Sequence, residues 1–452
     1  VRVLEPGTRV HVVGVAGTGM SGLAMLLAEM GATVSGSDLT DPPVTEELRS
    51  RGVTVHVGHD PAHVAGAQVV LWSPAVPADN VELVRASAEG ATLLTRASAL
   101  AELAEARRVI GFTGTHGKTT ATSMMVQVSL AAGHDDGWLV GAPVLGVGAN
   151  GHWGEGDLIV EVDESYGTMS ELSPYALGLL AVEPDHLDHY GTLEALEGAF
   201  ADLVGRTKGP VVVWGDDAGA RRVADSSVRD VTFVGATTPA PWQVGNVELE
   251  RRRSSFHLRS PSGVLEVSLR VTGSHNVANA AVVAALACEI GIAPEAVVRG
   301  LANFVGAPRR YQFRGEWRGV DVYEDYAHLP GEIRAILAAS RAGGYERATV
   351  VFQPHRVTRT VALLDSFAPA FAGARHVVVT DLYLAGEANP TGVTGEIVAE
   401  RLRASSMDTH YVARLGDVAS ALEGLVGDSD VLLFLGAGDV ASVIADLPGG
   451  VR

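Results

Sequence analysis

Two glycine loops and several clusters of acids, histidines and arginines hold the residue types that could do chemistry in this chain. The first loop, Gly14-Val-Ala-Gly17-Thr18-Gly19-Met20-Ser21-Gly22, fits G-x-G-x-x-G at Gly17, Gly19 and Gly22. Between a strand and a helix, such small residues let backbone N–H groups approach a diphosphate, and Asp38, ending the next strand, can take ribose or base donors. Alone, this loop predicts an NAD-dependent dehydrogenase, with tight strand–helix packing and no ligand as the plainer alternative. The second loop is Gly114-Thr115-His-Gly117-Lys118-Thr119-Thr120. It departs from the usual Walker pattern, since Phe112 stands five positions before Gly117 where glycine would be. Its chemistry still suits phosphate: amides wrap the oxygens, Lys118 adds a cation, and the Thr119 or Thr120 hydroxyl can bind Mg²⁺.

Magnesium also needs hard acidic ligands. Glu161-Val-Asp163-Glu164-Ser165 ends an apolar strand, and Asp185-His186-Leu-Asp188 follows the apolar run Leu177–Val182. Taken separately, each could be a solvated strand end, and histidine is a less usual magnesium ligand. Arg356 and Arg359 have an equally plain reading as a solvated helix face with ion pairs.

The elements that must position these groups alternate. Arg9–Gly14, Ala32–Asp38 and Gln68–Ser73 read as buried strands, and Met20–Met30 and Ser98–Arg107 as helices. Strands alternating with helices imply a parallel, doubly wound sheet. A fresh strand at Val109–Thr113 places the first boundary near residue 107. The second block contains Leu158–Val162 and Pro210–Trp214, an alternating stretch at 230–272 that predicts a small antiparallel patch, and a helix Asn276–Ile290. The third contains Ala348–Phe352, His376–Thr380 and Asp430–Phe434. The expectation is α/β with three consecutive domains, at 1–107, 108–305 and 306–452.

Composition agrees. The chain has 452 residues, too many for one core, and 47% are hydrophobic. A net charge of -19 argues against nucleic acid or a membrane surface as partner. A single cysteine, Cys288, in an apolar stretch reads as a buried structural thiol. No basic-then-apolar leader or apolar run of spanning length is evident, so a cytoplasmic protein, monomer or homodimer, is expected.

In order along the chain, Gly-Thr-His-Gly-Lys-Thr-Thr, Asp-Glu-Ser, Asp-His-Leu-Asp and Gly273-Ser-His275-Asn276-Val-Ala-Asn279 resemble the Mur ligase family. Asp325-Tyr326-Ala-His328-Leu-Pro330, Phe352-Gln-Pro-His355-Arg356-Val-Thr-Arg359-Thr, the opening glycine motif and Asp381-Leu-Tyr-Leu-Ala-Gly-Glu387 resemble one branch, which joins L-alanine to UDP-N-acetylmuramate. The resemblance covers essentially the whole chain. It implies a Rossmann-like N-terminal domain holding a UDP-sugar, a P-loop-type central ATPase domain, and a Rossmann-like C-terminal domain bringing the amino acid. The substrate carboxylate would become an acyl phosphate and then meet an amine. By this resemblance Gly17, Thr18, Gly19, Met20, Ser21, Asp38 and Ser73 bind the UDP-sugar, reversing the NAD reading of the first loop. Lys118 contacts ATP phosphates within Gly114–Thr120, and Thr119, Glu164 and His186 hold Mg²⁺. His275, Asn276 and Asn279 lie near adenine, and Arg310 and Asp325 reach the nucleotide from the third domain. Tyr326, His328, His355, Arg356 and Arg359 gather the amino acid, with His355 or His328 orienting or deprotonating its ammonium. Domain closure would complete the site and exclude water. The only lysine besides Lys118 is Lys208, outside any of these motifs, so no carbamylated lysine is expected.

Several positions depart from the branch. Tyr166 stands where an aspartate is usual, Leu180-Ala181-Val182 replaces Thr-Asn-Ile, and Leu329 replaces a histidine. The segment from Trp138 to Trp153, with Gly141-Ala-Pro-Val-Leu-Gly146, departs from the usual Ile-Gly-Gly loop and lacks its charged residues. These positions concern which carboxylate fits, and leave open a relative that joins a different acid.

Overall fold

The computed structural model describes residues 3–105, 107–164, 167–185 and 187–451, with the side chains of Leu187, Asp188 and Asp428 left aside. Among the described residues there are three sheets. The N-terminal sheet has five parallel strands, in the order Thr54–Val57, Thr33–Asp38, Arg9–Val13, Val69–Trp72 and Thr92–Thr95. Two of its inner strands, Arg9–Val13 and Val69–Trp72, are mostly apolar and buried on both faces, as a parallel sheet covered by helices requires. Thr92–Thr95 escapes a reading by pattern because it is a short, half-exposed edge.

The ten-stranded central sheet runs Gly263–Leu269, Arg253–Ser260, Trp242–Glu250, Thr232–Gly235, Val211–Trp214, Ala176–Leu179, Val109–Thr113, Leu158–Glu161, Gly137–Leu139, Gly151–His152. Two residues join Trp242–Glu250 to Arg253–Ser260, a connection that only antiparallel neighbours allow. Alternating burial in Arg253–Ser260 marks a sheet with one solvated face. The third sheet places Val320–Asp325, Val431–Leu435, Ala348–Phe352, Ala374–Val379 and Thr409–Tyr411 side by side in parallel, with Gln312–Trp317 antiparallel at its edge. The expected sequence of three α/β domains is therefore met.

By density of contacts the chain divides into two units. One comprises Val1–Val247, Ser255–Leu269 and His275–Val305, and the other Glu248–Ser254, Arg270–Ser274 and Gly306–Arg452. Within the first unit, the helix Thr18–Glu29 lies directly on the segment 137–153. Asn150 donates from Nδ2 to Thr18 O at 2.7 Å and to Ser21 Oγ at 3.2 Å. A Cβ on Gly151 would fall 2.0 Å from Gly22 O, and one on Gly22 would fall 2.8 Å from Leu139 Cδ1. The third glycine of the first motif is thus needed for this backbone approach.

Two local expectations are corrected. The helix expected at Ser98–Arg107 spans Arg96–Ala104, because Thr95 caps it by accepting from Ser98 N. Cys288 is half-buried, not buried, lying toward the end of the apolar helix Ser274–Glu289, and its surroundings push the thiol up to about 11. No helix among the described residues is long and apolar enough to cross a membrane.

Candidate active site

The first glycine loop turns sharply at Gly14, whose φ of 76° suits glycine. Asp38 ends its strand with Oδ2 accepting from Ala16 N at 3.0 Å, so the acid steadies the loop. Ser73 Oγ accepts from Ala75 N, ordering the neighbouring turn. The helix that follows the loop has no side-chain cap, which leaves first-turn amides available to an anion. Beside it stands Arg96, a residue the sequence reading missed. A Cβ on Gly19 would lie 2.6 Å from Arg96 Nε, and that buried nitrogen has no hydrogen-bond partner. No motif contains Arg96; only its position at the start of a helix after the last strand of this sheet could have drawn notice.

The second loop leaves Val109–Thr113 and enters the helix Lys118–Ala132, again without a side-chain cap. Gly117 has φ 89°, and a Cβ there would meet Asn279 Oδ1 at 2.6 Å and Leu180 Cδ1 at 2.9 Å. Asn279 and Leu180 therefore wall the loop. Its other flank is pinned where Thr115 N donates to Ala181 O at 2.7 Å. Lys118 Nζ donates to Gly114 O at 2.7 Å, Thr115 O at 3.2 Å and Glu164 Oε2 at 2.6 Å. Glu164 is buried, and desolvation pushes its carboxyl up while Lys118 pulls it back.

Glu161, at the strand end, has no role in the motif reading. It is buried, accepts from Gly141 N at 2.6 Å, and faces Lys118, Arg96 and the Thr119 hydroxyl. Burial raises its pKa against these partners. Thr120 is buried in the same turn. Asn276 and Asn279 are buried in the helix Ser274–Glu289, whereas His275 is exposed in its first turn. His186, expected at the metal, lies outside the described residues, as do Ser165 and Tyr166.

The remaining expected residues gather in the second unit, where strands of the third sheet end. Asp325 is buried and accepts from Tyr311 N at 2.6 Å and Ala327 N at 2.7 Å; burial pushes its carboxyl up to about 6, opposed by Arg310. The guanidiniums of Arg309 and Arg310 lie over the Tyr326 ring. His328 Nδ1 is 3.0 Å from Tyr326 O, and its ring meets His355 at 5.3 Å edge to face. A carbonyl only accepts, so Nδ1 carries the hydrogen and Nε2 of neutral His328 keeps its lone pair. His355 has the opposite arrangement. Arg359 Nη1 lies 2.8 Å from its Nδ1, and guanidinium only donates, so Nε2 carries the hydrogen. Burial, then His328, Arg359 and Arg356, push His355 down to about 4.

The exposed Arg356 begins the helix Val357–Ala362 with φ 65°, an unfavourable backbone held by Arg356 N donating to Tyr383 O. Glu387 caps that helix, accepting from Val357 N, Thr358 N and the Thr358 hydroxyl. The Tyr383 ring stacks on His355 and lines a pocket of about 510 Å³ with Gln353, Asp381 and Asp439. In the sequence Tyr383 and Glu387 stand out only as part of a motif. Their work depends on a loop returning beside His355, which spacing does not reveal.

A lysine-bearing phosphate loop walled by buried acids, a second anion-ready glycine loop and a cluster of histidine and arginine define a nucleotide-dependent enzyme that activates one substrate for attack by another. The models for the Mur ligase family catalytic domain, the Mur ligase middle domain and the Mur ligase glutamate ligase domain match residues 9–108, 155–287 and 309–438. The chain is 40% identical over 450 residues to a UDP-N-acetylmuramate–L-alanine ligase of Thermobifida fusca, covering 96% of this chain and 95% of that one. It is 41% identical over 449 residues to the ligase of that name from Kineococcus radiotolerans, covering 96% and 94%. The crystal structure of a UDP-N-acetylmuramate–alanine ligase from Thermotoga maritima superposes with a TM-score of 0.83 at 28% identity, covering 97% and 98%. The chain belongs to the Mur ligase family and is an ATP-dependent, ADP-forming ligase. The dehydrogenase reading of the first glycine loop is thereby set aside.

Proposed function

We propose that this ligase joins L-alanine to the carboxylate of UDP-N-acetylmuramate in peptidoglycan synthesis. The observation that carries this reading is similarity over nearly the whole chain to ligases of that name. The glycine loop supports the sugar nucleotide: in the stretch Gly17, Thr18, Gly19, Met20 and Ser21, Thr18 and Gly19 would offer amides to the diphosphate, since the other three amides donate to Gly14 O and Gly17 O. Asp38 and Ser73 would take polar groups, and Arg96 would supply the cation.

ATP phosphates would sit on Gly114–Thr120, with Lys118 moving from Glu164 and its own loop onto the γ-phosphate oxygens. Asn276 and Asn279 would contact the nucleoside with His275, while Arg310 and Asp325 would serve it from their own domain. Mg²⁺ fits the donor set, since the Thr119 hydroxyl and the buried Glu161 and Glu164 carboxylates are hard oxygens. Bound there with His186, it would neutralise charge on the transferring phosphoryl. A carboxylate oxygen attacks the γ-phosphorus, ADP leaves, and an acyl phosphate remains. The amine then attacks the acyl carbon and phosphate departs.

Arg356 and Arg359 suit the amino acid's own carboxylate, and Tyr326 flanks it. His328 is the base in this scheme, because its Nε2 lone pair can take the amine proton. His355 orients the substrate by donating from Nε2.

Phosphate release from ATP and Mg²⁺ tests the assignment, with UDP-N-acetylmuramate and L-alanine omitted in turn. Release that needs both, with the amide product by mass, supports it. ATP binding that depends on Lys118 without turnover of this pair would keep the ligase core and shift the search to another carboxylate. Ala181 and the uncharged 138–153 segment are the reasons to run that control.

A further inference from the structure

On the third sheet, His376 and His410 stand on adjacent parallel strands, Ala374–Val379 and Thr409–Tyr411. His410 is registered with Val378, two residues beyond His376, so both imidazoles leave the same face of the sheet. Asp408 lies just before the second strand, its carbonyl accepting from Val377 N. The carboxylate reaches both rings: Oδ2 is 2.7 Å from His376 Nδ1, and Oδ1 is 3.2 Å from His410 Nε2. One ligand atom from each residue can be chosen so that all lie within 4.8 Å of one another.

We propose that His376, Asp408 and His410 form a divalent-metal site, separate from the ligase chemistry and selective for zinc-like ions. Two imidazoles and one carboxylate suit Zn²⁺, Co²⁺ or Ni²⁺, whereas Mg²⁺ prefers oxygen alone. Three protein ligands leave a coordination position for water. Two features go beyond an aspartate that merely pairs with histidines. His410 Nε2 is buried and has no hydrogen-bond partner although Asp408 Oδ1 is near, so that approach lacks hydrogen-bond alignment. His376 is only 6% exposed, and the second strand holds its neighbour in fixed register. His376 also sits toward the amino end of its strand, while the loop carrying Asp381, Tyr383 and Glu387 leaves the carboxyl end. A metal here would clip a three-residue edge strand to the sheet, stabilising the folded domain in proportion to metal occupancy.

Chelator-treated full-length protein, kept in excess Mg²⁺ to occupy oxygen-donor sites, is titrated with ZnCl₂ in a calorimeter. The expected result is one equivalent of Zn²⁺ bound by the native chain, with affinity weakened at least tenfold in Asp408→Asn and in His410→Ala. Both side chains are about half exposed, so these variants should fold, and circular dichroism checks that they do. Zinc should raise the melting temperature of the native chain and of neither variant. Absence of stoichiometric binding by the native chain, or unchanged affinity in both variants, overturns the proposal.

Discussion

His328 and His355 belong to one cluster, yet their neighbours fix opposite tautomers, leaving a lone pair on Nε2 of one and a hydrogen on Nε2 of the other. Tyr326 O takes the Nδ1 hydrogen of His328, while Arg359 fills the Nδ1 lone pair of His355. His328→Gln should therefore lower kcat by about 10²–10⁴-fold. His355→Gln should act mainly through the KM for the amino acid, and steady-state kinetics of the pair separates these effects; equal kcat losses would sink the distinction. The His355 ring, followed by NMR, should show no protonation step above about pH 5, since its folded pKa is about 4 against 6.5 when free. The unfolded chain takes up that proton first, so the His355 contribution to stability is lost as pH falls from about 6.5 toward 4. A ring titrating near 6.5 would contradict the burial argument. Lys118→Ala should reduce turnover by about 10²–10³-fold, the usual loss when one charge-stabilising group is removed. Residue types were legible in the sequence; hydrogen-bond partners were not. Nothing in the order of letters says which nitrogen of His328 is occupied, or that Arg96 comes beside Gly19.

At the level of elements, the phosphate loop was readable because its strand, glycines and helix are contiguous. Its tightness was not, since Asn279 comes from a helix about 160 residues further on. Gly117→Ala would put a side chain on a left-handed backbone, costing roughly 1–2 kcal/mol, and drive its Cβ into Asn279. Loss of ATP binding by this variant, with the fold retained by circular dichroism, is the expected outcome; normal ATP affinity would mean the loop has room that the contacts deny. Glu387→Ala should loosen the start of Val357–Ala362 and raise the KM for the amino acid while changing kcat little. A melting curve and substrate titration check this, and an unchanged KM would rule out control of Arg356 by the cap. The strands Thr92–Thr95, Gly137–Leu139 and Gly151–His152 escaped the sequence reading because they are short and partly edge-like, with no periodicity to display.

Across the whole molecule, the alternation of strand and helix announced three α/β domains, because a parallel sheet needs a crossover between neighbouring strands. It did not announce that the chain divides into two units by contact density, since that depends on surfaces meeting far from each other in sequence. Two separate units should unfold in two calorimetric transitions, and UDP-N-acetylmuramate should raise the one belonging to the first unit. A single two-state transition would show that the units do not melt independently.

The close seating of the helix Thr18–Glu29 on residues 137–153 bears on how such enzymes can be recombined. Gly22 and Gly151 meet backbone to backbone, and Asn150 reads two groups of that helix by hydrogen bonds. An N-terminal domain borrowed from another ligase would bring a foreign helix to that seat, where one extra methyl group at either glycine collides. A working chimera would need to carry the matching 137–153 segment with the borrowed domain, so the unit of exchange is larger than the domain and discontinuous in sequence.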